Sequence, residues 1–206
     1  MRVLDRTFNY NTRRAKELLE LFLEYHPDIR FHLEIHPALL SEELKEELKH
    51  LPEGLLHLEA GIQSLREPVL EKSRRMGKLT DALEGLKFLC SLPNMETHAD
   101  LIAGLPLYHL AEIFEDIHVL AAYGAGEIQL ESLKLLPGTE MRRRAEELGI
   151  QYSPLPPYEV LQTREINVSE LQTARQLSRL LDGFYNTPAW QSITRKPVSY
   201  THLRAH

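Results

Sequence analysis

Polar side chains capable of chemistry recur at every second position of several short segments. In the run Leu56 to Gln63, His57, Glu59, Gly61 and Gln63 share one face of an extended chain, while Leu56, Leu58, Ala60 and Ile62 share the other. Glu34 and His36 alternate with Leu33 and Ile35, Glu96, His98 and Asp100 with Thr97, Ala99 and Leu101, and Gln129 and Glu131 with Ile128 and Leu130. With Asp5 near the amino terminus, the set Asp5, Glu34, His36, Glu59, Gln63, Asp100, Gln129 and Glu131 forms a ligand-binding constellation, lying mostly in the carboxyl-terminal halves of strands.

Several chemistries can be weighed against these residues. Metal-dependent hydrolysis would use carboxylates and histidines, but no HExxH or strand-borne HxH is present, and Glu34-Ile35-His36 supplies two ligands at most. That reading expects zinc or magnesium affinity that Glu34→Ala abolishes. His57 and His98 lie deeper in their strands and read as hydrogen-bonded lining residues. No metal ligand set is assigned. Ser64 lacks a GxSxG elbow, and Cys90, in the apolar run Leu86-Lys87-Phe88-Leu89-Cys90, reads as a buried inert thiol. Ala103-Gly104-Leu105-Pro106 and Leu136-Pro137-Gly138-Thr139 are tight turns that fit no phosphate-loop fingerprint. Arg74-Arg75 is a compact cationic pair placed to meet a carboxylate from the rim.

These residues need a scaffold of successive βα units. Strands are expected at Arg2–Asp5, Arg30–His36, Leu55–Ile62, Glu96–Ile102 and Glu127–Leu133. Helices are expected from the Asn11-Thr12 cap through Tyr25, from Ser41 to before Pro52, from a Thr80 cap over Asp81–Cys90, over His109–Tyr123, over Gly138–Leu148, and from about Ser169 to Phe184. A doubly wound sheet buries both faces and shows near-continuous apolar strands. Here one face is repeatedly polar, which calls for a curved parallel sheet lining a solvated lumen.

The 206 residues are 43% apolar and 26% charged with a net charge of −6, the composition of a globular chain without the basic field that nucleic acid or an anionic membrane attracts. With no signal peptide pattern after Met1, a cytoplasmic protein is expected. One cysteine excludes an intramolecular disulfide. The run 198–206 follows Pro197 without periodicity and resembles the translation of a sequencing adapter, so it is expected to be an artefactual tail.

Three segments then converge on one family. Leu58-Glu59-Ala60-Gly61-Ile62-Gln63-Ser64, His98-Ala99-Asp100-Leu101-Ile102-Ala103-Gly104-Leu105-Pro106 and Leu133-Lys134-Leu135-Leu136-Pro137-Gly138-Thr139 resemble, in order and spacing, the fourth-, fifth- and sixth-strand segments of radical S-adenosylmethionine (SAM) enzymes. Val3 to Asn11 resembles the second strand of the subgroup with an amino-terminal cobalamin-binding domain. Pro157-Tyr158-Glu159-Val160-Leu161 and Phe184-Tyr185-Asn186-Thr187-Pro188 resemble a helical domain of unknown role appended to one branch of it. The resemblance covers about residues 1–192. It implies an α/β partial TIM-like (β/α)6 barrel, of which residues 1–150 hold units two to six, followed over residues 151–197 by part of the helical domain.

The resemblance also implies cleavage of the small-molecule cofactor SAM at a [4Fe–4S] cluster, giving a 5′-deoxyadenosyl radical that abstracts hydrogen from a substrate of unknown identity, with a reductant for the cluster and with cobalamin as a further candidate cofactor on a separate domain. By matching positions, Glu34 pairs with the cofactor's amino group, Gln63 and Asp100 with its ribose hydroxyls, and Arg75 with its carboxylate. Ile102 to Leu105 lie against the adenine, with backbone near Gly104 reading its edge. His36, Glu59 and Gln129 are substrate-side candidates. The family's C-x-x-x-C-x-x-C motif is missing, and Cys90 falls after the fourth strand. Two accounts remain: a fragment, inactive alone, whose cluster loop precedes Met1, or a cluster-free barrel module. A fragment would leave Arg2–Asp5 as an exposed, aggregation-prone edge.

Overall fold

The computed structural model describes residues 1–5 and 7–194, the side chains of 192–194 excepted. The expected tail at 198–206 lies outside the described residues. Four parallel strands form the sheet: β1 (Phe31–Ile35), β2 (Leu56–Gln63), β3 (Glu96–Ala103) and β4 (Glu127–Ser132). They are ordered β1-β2-β3-β4, and each pairs in parallel with its sequence neighbour. This unbroken order is that of a barrel arc, whereas a doubly wound sheet reverses direction at a switch point. Burial alternates strictly along β1 and β2, so Leu33, Leu56, Leu58 and Ala60 pack against the helices while Glu34, His57, Glu59 and Gly61 face the concave side.

The connecting helices follow the local chemistry. α1 (Thr12–Leu23) starts where the Asn11 side chain accepts from the Arg14 amide, and α2 (Glu42–His50) where Ser41 accepts from the Leu44 amide. A short α3 (Glu67–Lys72) begins with Pro68 in its first turn. α4 (Leu79–Ser91) starts after Lys78 and not at Thr80, whose hydroxyl bonds the neighbouring Asp81 inside the first turn. Gly85 of α4 lies so close to the Pro37 carbonyl that a Cβ there would sit 2.1 Å from its oxygen, so glycine is required for this helix to pack against the Pro37–Leu39 turn that follows β1. α5 (Leu110–Ala122) follows His109. The expected helix over 138–148 shrinks to α6 (Glu140–Arg143), capped by Thr139.

The expected strand Arg2–Asp5 is a correction: among the described residues it makes only one parallel bridge, Arg2 to His32. His32 donates to the Met1 carbonyl and receives from the Val3 amide through its own carbonyl, after which Asp5 turns back to accept from Thr7 and Arg14. Further along this edge the buried Asn9 side chain both donates to the His36 carbonyl (2.9 Å) and accepts from its amide (2.8 Å). Its side-chain amide thus reproduces one rung of a strand.

Beyond the sheet, β5 (Gln151–Tyr152) and β6 (Val160–Gln162) pair antiparallel. α7 (Val168–Leu180), with an Asn167–Glu170 capping box, runs into a π-helical turn at Leu181–Tyr185 and then α8 (Pro188–Thr194). This segment closes the opposite edge of the sheet. Asn186 accepts from the Ile128 amide and donates to its carbonyl, and the Tyr185 hydroxyl donates to the Ala125 carbonyl at 2.7 Å. Among the described residues no helix is long and apolar enough to cross a membrane.

Candidate functional site

The concave face holds two adjoining cavities. The smaller, of about 190 Å³, is lined by Glu34, His36, Glu59, Gln63, Arg75 and Asp100, together with Thr7, Ile35 and Gly61. The larger, of about 680 Å³, shares Glu59, Gly61, Gln63 and Asp100 with it and extends over His57, His98, Gln129 and Glu131. Register explains the convergence: Glu34, Glu59, His98 and Glu127 occupy one rung across the four strands, and Gly61, Asp100 and Gln129 the rung next toward the strands' carboxyl ends.

At the end of β2 the register slips, Gly61 facing Asp100 and Gln63 facing Leu101, so Ile62 is an extra residue. Gln63 carries a φ of 69°, a left-handed conformation that costs a side-chain-bearing residue about 1–2 kcal/mol. The strain is held in place from below. Asp116 of α5, 1% exposed, accepts from the Leu65 amide at 2.8 Å, the Tyr108 hydroxyl at 2.6 Å and Arg66 Nε at 2.9 Å. This carboxylate pins the loop immediately after Gln63. It was not among the residues expected from sequence, although an acid at an apolar-stripe position between Ile113, Ile117 and Leu120 is a readable signal.

Arg75 is drawn in from the α3–α4 connection. Its Nη2 donates to the Gly61 carbonyl at 2.5 Å, and its Nε is buried without a hydrogen-bond partner. Burial lowers its pKa, opposed by the Asp100 carboxylate. Its neighbour Arg74 points away and pairs with Glu140. From the amino-terminal segment beside β1, Arg2 Nη2 bridges Glu34 (3.1 Å) and Glu59 (3.0 Å), and His32 Nε2 lies 2.6 Å from the same Glu59 oxygen. Burial, with the Arg75 charge second, pushes the His36 pKa down to about 4 against a smaller opposing contribution from the Met76 backbone, so this imidazole is neutral at pH 7.

Not every expected residue joins the cavities. Gly104, with φ 91°, ends β3 beneath Val160, whose Cγ1 would be 3.3 Å from an added Cβ, and it lines neither cavity. Ile102 does line the larger one. Asp5 is taken up by Arg14, which lowers its pKa. Cys90 lies on α4 against a separate hollow of about 390 Å³, and burial pushes its thiol up to about 11.

The donor set can be tested against the groups the resemblance implies. A carboxylate-rich wall facing a buried, partly unsatisfied guanidinium suits a zwitterionic nucleoside such as SAM. A [4Fe–4S] cluster does not fit: three thiolates are needed, and the single cysteine is protonated and outside the lumen.

Comparison with known proteins agrees on architecture. A family model described as a protein of unknown function, DUF4080, matches residues 146–201. No curated protein matches the chain. Among solved structures, the radical SAM methyltransferase TsrM from Kitasatospora setae, with tryptophan substrate and the SAM analogue aza-SAM bound, is similar over 85% of this chain and 36% of its own, at 20% identity and TM-score 0.59. Coproporphyrinogen III oxidase (HemN) from Escherichia coli, a radical SAM enzyme, is similar over 84% of this chain and 37% of its own, at 17% identity and TM-score 0.57. Elp3 from the archaeon Methanocaldococcus infernus, with an N-terminal deletion, is similar over 87% of this chain and 54% of its own, at 15% identity and TM-score 0.54. The chain thus spans little more than a third of the length of the first two, and it has the α/β fold of the radical SAM enzymes.

Proposed function

We propose that this chain forms the cofactor-cradling arc of a radical SAM enzyme. The observation that carries the reading is the convergence of Glu34, Gln63, Arg75 and Asp100 on one small cavity although they lie on three strands and a loop. When bound, SAM would supply an adenosyl radical that takes hydrogen from a substrate.

The chain's own residues hold and orient. Glu34, already paired with a guanidinium from Arg2, can exchange that partner for an ammonium group of like charge. Arg75 is anchored through Gly61 and keeps a buried donor for a carboxylate, a charge-assisted contact strengthened by low local dielectric. Asp100 and the amide of Gln63 supply the acceptors and donors that a ribose diol needs. His36, Glu59 and Gln129 stand on the surrounding wall as substrate-side residues, His36 as a neutral imidazole. The thiolates for a [4Fe–4S] cluster, its reductant and any cobalamin-binding domain would belong to sequence outside these 206 residues. A cluster-free binding module is the second reading, favoured by the cysteine count; coding sequence upstream with three closely spaced cysteines would exclude it.

Calorimetric titration of the full chain with SAM tests the cradle itself. Saturable one-site binding is expected, weakened about tenfold or more by Asp100→Asn and by Glu34→Gln, the loss of one hydrogen bond to a charged group. Absence of saturable binding, or affinity in both variants equal to that of the unsubstituted chain, would refute it.

A further inference from the structure

Deeper in the larger cavity, toward the amino-terminal ends of the strands, a second constellation uses none of the four residues above as a ligand. His57 of β2, His98 of β3 and Glu127 of β4 each bring a donor atom within 4.8 Å of the others. We propose that these three side chains form a binding site for a zinc-class divalent cation on the floor of the lumen. The proposal does not depend on SAM binding.

The arrangement around the two imidazoles leaves one nitrogen of each available. His98 Nε2 lies 2.8 Å from Asp100 Oδ1, in ion-pair contact without directed hydrogen-bond geometry, while Nδ1 lies 3.9 Å from Glu127 Oε2. His57 Nδ1 lies 3.6 Å from the Glu96 carboxylate, while its Nε2 is buried with no hydrogen-bond partner. Each ring would therefore present one nitrogen to a cation and keep the other beside a carboxylate. That is the supporting pattern which fixes the tautomer of a metal-bound histidine and raises its basicity. At present Arg30 Nη2 donates toward His57 Nδ1 at 3.3 Å; cation binding at Nε2 places the ring proton on Nδ1, so Arg30 must give up this contact as the Nδ1–H turns toward Glu96.

The rings are held for such a role. His57 stacks on His32 at 4.7 Å and meets His98 edge-on at 5.9 Å, and His98 is 3% exposed. Contraction of up to about 1.4 Å would bring the donors to the spacing of about 3.4 Å set by tetrahedral metal–ligand bonds near 2.1 Å. Two imidazoles and one carboxylate select zinc and its first-row neighbours over calcium or magnesium, which prefer all-oxygen sites. Three protein ligands leave a fourth position open to the cavity, the arrangement in which a cation can hold water or an anionic group of a substrate.

The test is titration of the chelator-stripped full chain with Co2+, followed by visible absorption, and with Zn2+ against a chromophoric chelator. One equivalent is expected, with a tetrahedral Co2+ spectrum lacking thiolate charge transfer and a thermal midpoint that rises with added Zn2+. His57→Gln, His98→Gln and Glu127→Gln should each weaken binding at least about tenfold, the lower bound for losing even a supporting residue at a metal site. His32→Gln should leave the stoichiometry unchanged. A chain that binds no Co2+ or Zn2+, or whose three ligand variants bind them as tightly as the unsubstituted chain, overturns the proposal. If a variant fails to fold, the wild-type spectrum still decides, because thiolate or octahedral character would also overturn it.

Discussion

Tyr108 donates its phenolic hydroxyl to Asp116 Oδ2 at 2.6 Å, and both side chains are sealed from solvent beneath the loop that follows β2. The contact raises the Tyr108 pKa, burial acting first and the Asp116 charge adding to it, so the phenol stays a donor. Because the same carboxylate also receives Leu65 and Arg66, its removal orphans several donors at once. Asp116→Ala is expected to cost about 3–5 kcal/mol and Tyr108→Phe about 1–3 kcal/mol in urea unfolding. Near-neutral behaviour of Asp116→Ala would mean that the loop is held by something else.

Gln63 offers a way to separate binding from stability. Its left-handed φ of 69° is costly for glutamine and free for glycine. Gln63→Gly should therefore hold stability level or raise it by up to about 1 kcal/mol, while weakening SAM binding by calorimetry. A variant that loses stability without losing affinity would deny Gln63 a contact role.

The neutral state of His36 predicts a pH dependence. Its folded pKa of about 4 lies below the ordinary 6.5, so between those values the unfolded chain binds more protons than the folded one. The stabilisation is complete above pH 6.5 and is lost as pH falls toward 4, amounting to at most about 3 kcal/mol. Comparing urea midpoints of wild type and His36→Asn from pH 7 to pH 4 should show a shallower decline in the variant. Parallel curves would rule out a buried neutral imidazole.

Cys90 carries a thiol raised to about 11 and lies away from both lumen cavities. Anaerobic reconstitution of this chain alone with iron and sulfide should yield no stoichiometric cluster, and Cys90→Ala should change nothing in SAM titrations. Iron and acid-labile sulfide near four per chain would contradict this.

Strands β1 to β4 are legible in sequence because a half-buried strand writes its two faces as strict alternation, as Leu56 to Gln63 does. Arg2–Asp5 carries too few residues for such a pattern, and competition from Arg14 for Asp5 turns the chain away after one bridge. The six residues of α3 are too short to show a helical period. Lumen-facing residues such as Glu59 and Asp100 could be placed on a face from alternation alone. The meeting of His57, His98 and Glu127 could not, since it depends on the register of three strands separated by helices. Asn9 and Asn186 were equally hidden, being single polar residues whose partners lie 27 and 58 positions away.

Those two asparagines give the sheet borders a common property. Each occupies one rung at an outer border of the sheet, Asn9 at His36 just past the end of β1 and Asn186 at Ile128 on β4, so a foreign strand approaching there meets a side chain where it would need backbone. Edge-to-edge self-association is then gated kinetically by peeling away a native segment. On the β1 side the departing segment also takes Arg2 from Glu34 and Glu59, so whatever loosens the first nine residues uncovers a border and two lumen carboxylates in the same movement.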